Sequence, residues 1–582
     1  LLHIIKPNHM RAKLLSIFFC FFFISIDAQT WQWAKKGGGP LSDKAQAIDI
    51  DNNGNSYIGG FYNVAQPASV TVNFGAFTPP TNWGKEGFLA KIDKFGNYQW
   101  VHGAIGGYDE RVLGVHVDKL NGFVYATGTT WGWGPNMCDL AFGTCSTNAT
   151  YGEHDQIFLG KYDLNGNCQW LIQAGGQSDD HGLDIATDKY GDIYLTGFIS
   201  DAQLNSTPAV FGSFSLTAPL GDSLAFVAKL SPAGVFQWVR TFGGHDGERD
   251  HKIEVDSACN VYVAGGFYGT KVFGTSTLTA NGVDIYVVKY DKNGNFIWVK
   301  QAGSSLDDRA NGITIDLSQK IYLTGEFRDT CIFGNDTLNN NGGPNGRDIF
   351  VAKLTTAGVW KWAKKAGSGA GGERGNSICS NTKGNVFVTG TFADTAKFGG
   401  SISIISSPFT TVDVFVAAID TLGKWRWAVK GGGALEDKGN GIACDDSCNV
   451  YTTGWFDQAA SFGPHNLTST GSKDVYVARL NSTCFTYTTD IINGYKDLDP
   501  DRLYGYVFPN PTTNNLQIKI NEGNFDPQNT RIIFIDMLGK EVNVAMISGK
   551  DLLFDVTSLQ NGIYFVLLKN ENASTTIKFI KQ

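Results

Sequence analysis

The densest group of chemically capable side chains is GGHDGERDH, Gly243–His251, which holds His245, Asp246, Glu248, Asp250 and His251 within nine residues. Imidazole and carboxylate are the donor types that ligate a divalent ion. A loop this rich in charge is most often simply solvated, and no metal is assigned to it. The loop belongs to a series. An acid followed directly by a cation or His recurs at one regular position, a few residues before an apolar strand: Asp43-Lys44, Glu110-Arg111, Asp180-His181, Glu248-Arg249, Asp308-Arg309, Glu373-Arg374 and Asp437-Lys438. Such a polar ring would suit a charged ligand. Its regularity favours a structural task, with acids capping loop amides and arginines bridging neighbouring units. A binding site normally needs asymmetry, so departures from the repeat are the better pointers, and His245, Asp246, Glu248 and His251 are one such departure.

A second departure is the long excursion TTWGWGPNMCDLAFGTCSTNATYGEHD, Thr129–Asp155, which carries Trp131 and Trp133. Long loops on rigid scaffolds are where binding tends to reside. Exposed indoles would stack on sugars; packing over a sheet edge is the structural alternative. Asn82 and Trp83 form a weaker version. Asp49, Asp51, Asn53 and Gly54 follow the opening of a calcium-binding EF-hand loop, but its twelfth position is Gly60 rather than a bidentate Glu. A hairpin turn is the expectation there, and no cofactor is assigned. The chain contains no G-x-S-x-G, H-E-x-x-H or phosphate-loop pattern. The net charge of -8 argues against a nucleic-acid partner, which needs a basic footprint.

The elements that must position these loops are short strands. Seven tryptophans, Trp33, Trp100, Trp170, Trp238, Trp298, Trp362 and Trp427, recur every 60 to 70 residues. Each is followed by a Gly-rich connection and an apolar strand. That strand ends in an Asp/Asn/Gly turn such as DNNGNSY (from Asp51) or DSACNVY (from Asp256). A second strand, a Phe-Gly pair beginning at Phe74, Phe142, Phe211, Phe273, Phe333, Phe398 and Phe462, and a third strand of the type IYVVKYD complete each copy. The seventh copy stops after VYVARLNSTC without its Trp strand, while TWQWAKKGGG stands alone at Thr30–Gly39. The expectation is an all-β, seven-bladed β-propeller over residues 29–484, closed by the N-terminal strand.

These landmarks, GN-x-Y-x-x-G-x-F, Phe-Gly and D-x-F-V-A-K, resemble the bacterial seven-bladed propeller repeat family often abbreviated SBBP. The resemblance covers roughly residues 30–484 and is nearly silent on activity. After a linker at 485–503, YVFPNPTTNNLQIKI, RIIFIDMLGKEV, FDVTSLQNGIYFVLLKN and TTIKFIKQ resemble the type A C-terminal sorting domain of the Bacteroidota type IX secretion system. That resemblance implies an Ig-like sandwich over 504–582, handled by the secretion machinery, and a protein released or held at the outer-membrane surface. Basic Met10–Lys13 and apolar Leu14–Ile26 read as a signal peptide within residues 1–28, with Met10 as the start. No transmembrane segment is expected in the mature chain.

Nine cysteines follow the signal peptide. Their spacing is no disulfide framework. Cys138–Cys145 and Cys444–Cys448 are the pairs expected to close local loops. The leading functional expectation is a non-enzymatic binding or adhesion module for a glycan, peptide or protein. An extracellular polysaccharide hydrolase or lyase and a structural surface scaffold are the alternatives.

Overall fold

The computed structural model describes residues 29–64, 71–82, 84–131, 139–147, 154–200, 207–243, 251–340, 342, 346–368, 371–406, 411–485, 505–508, 512–520, 531–537, 539–548, 552–569 and 574–581. The signal peptide, Trp83, Trp133, Cys138, His245, Asp246, Glu248, Arg249 and nearly all of the linker lie outside the described residues. Every regular element among the described residues is a β-strand, and the propeller-like sheets, almost wholly antiparallel, include five four-stranded ones beside a nine- and a ten-stranded sheet and three small two-stranded ones.

Two compact units divide the chain. The first takes residues 1–185, 202–216 and 431–484. Here Lys44–Ile50, Ser56–Val64, Gly84–Ile92 and Tyr98–Ile105 pair in order. So do Asp109–Asp118, Phe123–Trp131, Gln156–Asp163 and Cys168–Ala174. The last sheet of this unit runs Lys438–Cys444, Asn449–Phe462, His465–Asn481. Its fourth strand is Thr30–Gly38, antiparallel to His465–Asn481 from Thr30↔Asn481 to Gly37↔Val475. The isolated N-terminal strand therefore supplies what the last copy lacks.

The second unit takes residues 186–201, 217–430 and 485–582. Ile193–Ser200, Ser223–Leu230 and Phe236–Phe242 pair in order. The next sheet is Lys252–Val255, Val261–Phe273, Ser276–Tyr290 and Phe296–Ala302. It is followed by Arg309–Ile315, Lys320–Phe327, Asp348–Thr355 and Trp360–Ala366, then by Arg374–Ser380, Val386–Phe392 and Asp413–Ile419. Near the C-terminus, Gly505–Phe508, Asn515–Ile520, Leu553–Asp555 and Ala545–Ser548 form one four-stranded sheet. Glu541–Val542, Arg531–Asp536, Gly562–Lys569 and Ser574–Lys581 form another. Leu516, Ile518 and Phe554 from the first share an apolar cluster with Phe534, Val566 and Phe579 from the second.

The repeated motifs are consumed in building these sheets. In the first turn, Asp51 Oδ1 accepts the amides of Asn53 and Asn55, both at 2.9 Å, and Oδ2 accepts the Tyr57 hydroxyl at 3.2 Å. Asp256 binds the amides of Ala258 and Asn260 and the Tyr262 hydroxyl in the same way. The carboxylate that looked like a calcium ligand thus closes its own turn. The turn needs a left-handed residue at its fourth position. Gly54 supplies it at φ 77°, while Cys259, Gln319 and Cys448 adopt it at 63°, 58° and 61°.

The same tyrosines carry the packing. The Trp298 ring lies 6.0 Å from Tyr262, and Trp362 lies 6.0 Å from Tyr322. Lys289 and Lys353, from the third strands, sit 5.0 and 5.5 Å over those tyrosine rings. Each indole also donates outward: Trp298 Nε1 to Thr356 O at 3.2 Å and Trp362 Nε1 to Thr421 O at 3.0 Å. These acceptors lie in the corresponding turn of the following copy, so each of these Trp residues ties one sheet to the next. The Phe-Gly pair does something its local sequence does not foretell. It turns a small extra hairpin between the second and third strands, as in Thr330–Phe333 with Asp336–Asn339. All seven phenylalanines of that motif are buried.

The expected cysteine pairs are corrected. Cys145 bonds to Cys168, and Cys448 to Cys484; Cys444 is a free, buried thiol. Sequence neighbours competed with segments that the packed sheets bring together, and spatial proximity decided. The Cys448–Cys484 bond spans 36 residues and pins the end of the last sheet. Closing a loop of that length removes about 3–4 kcal/mol of unfolded-chain entropy. Cys448→Ser with Cys484→Ser should lower stability by about that amount under oxidising conditions, in chemical denaturation. Under reductant the difference from the parent should vanish; a difference that persists would place the effect in packing.

Candidate functional site

The six described acid–cation pairs fall where one copy's last strand leads into the next copy's first. The six described acids, Asp43, Glu110, Asp180, Asp308, Glu373 and Asp437, are fully buried. They are held chiefly by backbone amides. Asp43 accepts from Gly39 N at 2.6 Å and Asn63 N at 2.8 Å. Asp437 accepts from Gly433 N and Asp457 N at 2.6 and 3.0 Å. Asp180 takes Gly176 N at 2.6 Å, and Asp308 takes Arg328 N at 2.8 Å. Glu373 receives Ser368, Gly371 and Gly372 amides at 3.0 to 3.1 Å. Glu110 accepts from Thr130 Oγ1 at 3.2 Å.

Several of these acids face a second buried carboxyl from the start of a third strand. A Cβ placed on Gly38 would meet Asp43 Oδ2 at 2.6 Å and Asp474 Oδ1 at 2.9 Å, so only Gly leaves room for the two carboxyls there. Burial pushes Asp43 up to about 7, with the Asp474 charge adding to it. Burial raises Glu86 to about 8, helped by Asp109. It also carries Glu110 well above its ordinary value, with Glu86 as the next cause. Asp308 rises to about 7 and Asp284 to about 6, both mainly through burial. Glu86 Oε2, Glu110 Oε2, Asp284 Oδ1, Asp308 Oδ2 and Asp474 Oδ1 are buried without a hydrogen-bond partner.

The cations have different neighbours. Lys44 lies 5.2 Å over the Trp455 ring, and Lys438 pairs with Trp455 in register. Arg111 meets Asp109 at 3.1 Å, and His181 meets Asp155 at 2.9 Å. Arg309 and Arg374 both turn to Glu326. In register, the residue opposite the pair's cation is Phe61, Thr129, Thr391 or Trp455 in other sheets, but Glu326 opposite Arg309. Arg374 Nε lies 2.7 Å from Glu326 Oε2, Arg347 Nη1 3.2 Å from Oε1, and Arg309 Nη1 3.9 Å from Oε1. Sequence reasoning named Arg309 and Arg374 but missed Glu326, Arg328 and Arg347. The signal was present: Glu326 is the one acid at a position that is otherwise apolar or a threonine in those registers.

The sequence-derived ligand candidates are dispersed. Trp131 ends the strand Phe123–Trp131 and packs edge-on against Tyr108, with ring centroids 5.3 Å apart. His251 is 1% exposed, with Nδ1 2.6 Å from the Tyr286 hydroxyl. Trp133, His245, Asp246 and Glu248 lie outside the described residues. Among the described residues no group of three or more His, Cys, Asp or Glu is arranged to hold a metal.

Residues 506–582 match the family model of the secretion system C-terminal sorting domain. That tail implies export to the cell surface or secretion. Among the described residues no helix is long and apolar enough to cross a membrane. Over 378 residues the chain is 25% identical to an uncharacterized WD repeat-containing protein of Acanthamoeba polyphaga mimivirus, covering 53% of this chain and 27% of that protein. The chain thus spans about a quarter of the length of the curated relative it matches. Among solved structures, Sqt1 from Chaetomium thermophilum aligns at a TM-score of 0.33 and 10% identity, over 78% of this chain and all of that one. A gluconolactonase of Xanthomonas campestris aligns at 0.27 and 10% identity, over 65% of this chain and 97% of that one.

Proposed function

We propose that this protein is an exported seven-bladed β-propeller that binds a glycan, peptide or protein outside the cell. Type IX secretion delivers it through an Ig-like domain at 504–582, and residues 1–28 act as signal peptide. Seven Trp-bearing copies and the pairing of Thr30–Gly38 with the last sheet support the ring. The sorting-domain match supports the route.

One observation carries the binding reading. The loop acids are committed to backbone amides, whereas cations such as Arg374 stay partly open, with 39% of its side chain exposed. Loops held this way are rigid and display their cations to a ligand, a division of labour that suits recognition. A hydrolase needs two carboxyls poised on a bond, and these are spent on architecture.

The test is a thermal-shift screen of the full chain against pooled neutral glycans, acidic glycans and peptides, with a reducing-sugar assay in parallel. A specific ligand at a hundred times its dissociation constant should stabilise by about 2.7 kcal/mol. Release of reducing ends would replace this reading with the hydrolase; a flat screen would leave the scaffold.

A further inference from the structure

We propose that Arg309, Arg328, Arg347 and Arg374 form an oxyanion site for the carboxylate or sulfate groups of an acidic polysaccharide, a proposal that rests on the binding role above. The four arginines come from separate segments of the second unit. Arg309 and Arg374 open two consecutive first strands, Arg309–Ile315 and Arg374–Ser380. Arg328 follows the strand Lys320–Phe327, and Arg347 precedes Asp348–Thr355. The registers Arg309↔Glu326 and Phe327↔Asp348 bring these termini to one end of the sheet.

Charge is out of balance at this end. Three guanidiniums share the two oxygens of Glu326, whose side chain is 3% exposed. Asp307 contacts Arg309 at 3.6 Å. Asp308 accepts the Arg328 amide, and burial favours its protonated form. Asp329 takes the Ser305 hydroxyl at 2.9 Å. Four arginines therefore gather around one buried carboxylate, Glu326, with Asp307 and Asp329 as the further acids beside them, in a chain whose net charge is -8. Arg328 Nε is buried without a hydrogen-bond partner. Burial first disfavours the cation at Arg347; the Glu326 carboxylate offsets part of this, and Arg374, Arg328 and Arg309 then add to it as neighbouring like charges. An arriving anion relieves that repulsion.

Guanidinium forks match planar or tetrahedral oxyanions bidentately, which lysine does not. Side-chain exposures of 20%, 18% and 39% for Arg309, Arg347 and Arg374 leave them open to such a group. The equivalent end of the last sheet differs: Lys473 lies 3.9 Å over the Trp455 ring and 2.8 Å from an exposed Glu436 of its own, whereas Arg347 shares the buried Glu326 with two other arginines. Asymmetry of this kind is what the regular ring of pairs lacks. Pendant anions spaced along a polymer would engage the site from outside, which fits its partly open rim.

Calorimetric titration of the full chain with chondroitin sulfate, polygalacturonate, dextran and poly-glutamate tests the site. The two acidic polysaccharides, or one of them, should bind, with affinity falling as salt rises from about 50 to about 500 mM; dextran should not. Arg347→Gln and Arg374→Gln should each weaken binding at least tenfold. Arg111→Gln, at the corresponding pair on another sheet, should leave it unchanged. If a cluster variant fails to fold, thermal stabilisation of the parent by the same polysaccharides, abolished at high salt, serves instead.

Equal binding by all three variants would overturn the site, as would absence of binding to either acidic polysaccharide. Poly-glutamate binding as tight as the polysaccharides would overturn the ligand class and make the partner an acidic peptide. Binding of dextran or another neutral ligand alone would sink this site while leaving the broader binding role standing.

Discussion

A chain lacking residues 29–38 will associate more readily than the parent and melt at a markedly lower temperature. The deleted segment is one whole strand of the last sheet, paired from Thr30↔Asn481 to Gly37↔Val475. It buries Trp31 and Trp33, each 7% exposed, and Trp33 Nε1 donates to Lys94 O at 3.0 Å. Trp31 also packs edge-on against Phe462, with centroids 5.2 Å apart. Two buried indoles at roughly 150–250 Å² and about 25 cal/mol per Å² represent on the order of 8–12 kcal/mol of apolar burial. The whole of a typical domain's stability is about 5–15 kcal/mol. His465–Asn481 would be left as a long unpaired edge that invites association.

Size-exclusion chromatography and calorimetry of the truncated chain provide the measurement. Restoring Thr30–Gly38 after Asn481, through a turn copied from Asp291–Asn295, should return the parent's elution volume and melting temperature, because every other copy carries its Trp strand in that order. A truncated chain that melts like the parent would show that the pairing contributes little.

Stability should fall as pH rises from about 5 to 9, the reverse of the usual acid-denaturation limb. Burial raises Asp43 and Asp308 to about 7, Glu86 to about 8 and Asp284 to about 6. Each of these groups has a folded value above its unfolded one, so the native state binds the extra proton. Their contribution is complete below the ordinary carboxyl range and is lost as pH climbs through about 6 to 8. One unit of displacement corresponds to about 1.4 kcal/mol, so Glu86, raised from 4.5 to about 8, alone represents on the order of 5 kcal/mol. Asp93, Asp163 and Asp291 are held low by turn amides and asparagines. They act oppositely, adding stability above the ordinary carboxyl range that is lost only below it.

The melting temperature should therefore peak near pH 5. Glu86→Gln should flatten the alkaline decline, because the amide keeps the shape without the charge. Calorimetry from pH 4 to 9 on both proteins checks this. A melting temperature that is constant or rising between pH 5 and 8 would mean that the paired carboxyls ionise freely.

The local parts of this architecture are legible in the amino-acid sequence. The Asp-x-x-Gly-Asn-x-Tyr turns, the Trp strand and the third-strand Lys are local patterns whose physics is carried by neighbours in sequence. An Asp that caps its own turn needs only residues two, four and six positions on, as Asp51 shows. The missing last strand can be found by counting copies, since a strand without a partner must be completed elsewhere. Phe74 and its counterparts announce a turn, but not the hairpin built on it.

What only the tertiary structure decided is which side chains from distant segments meet. Cys145 and Cys448 had nearer cysteines in sequence and bonded to farther ones, because the packed sheets bring residues 23 and 36 positions apart together. His251 sat in the most ligand-like stretch and is a buried partner of Tyr286. Glu326, Arg328 and Arg347 had no motif around them, and their significance lies in converging with Arg309 and Arg374 from two consecutive sheets. Local sequence determines turns and strand order through short-range sterics and hydrogen bonds. Charge balance at a site is a sum over groups far apart in sequence, and only the packed chain performs that sum.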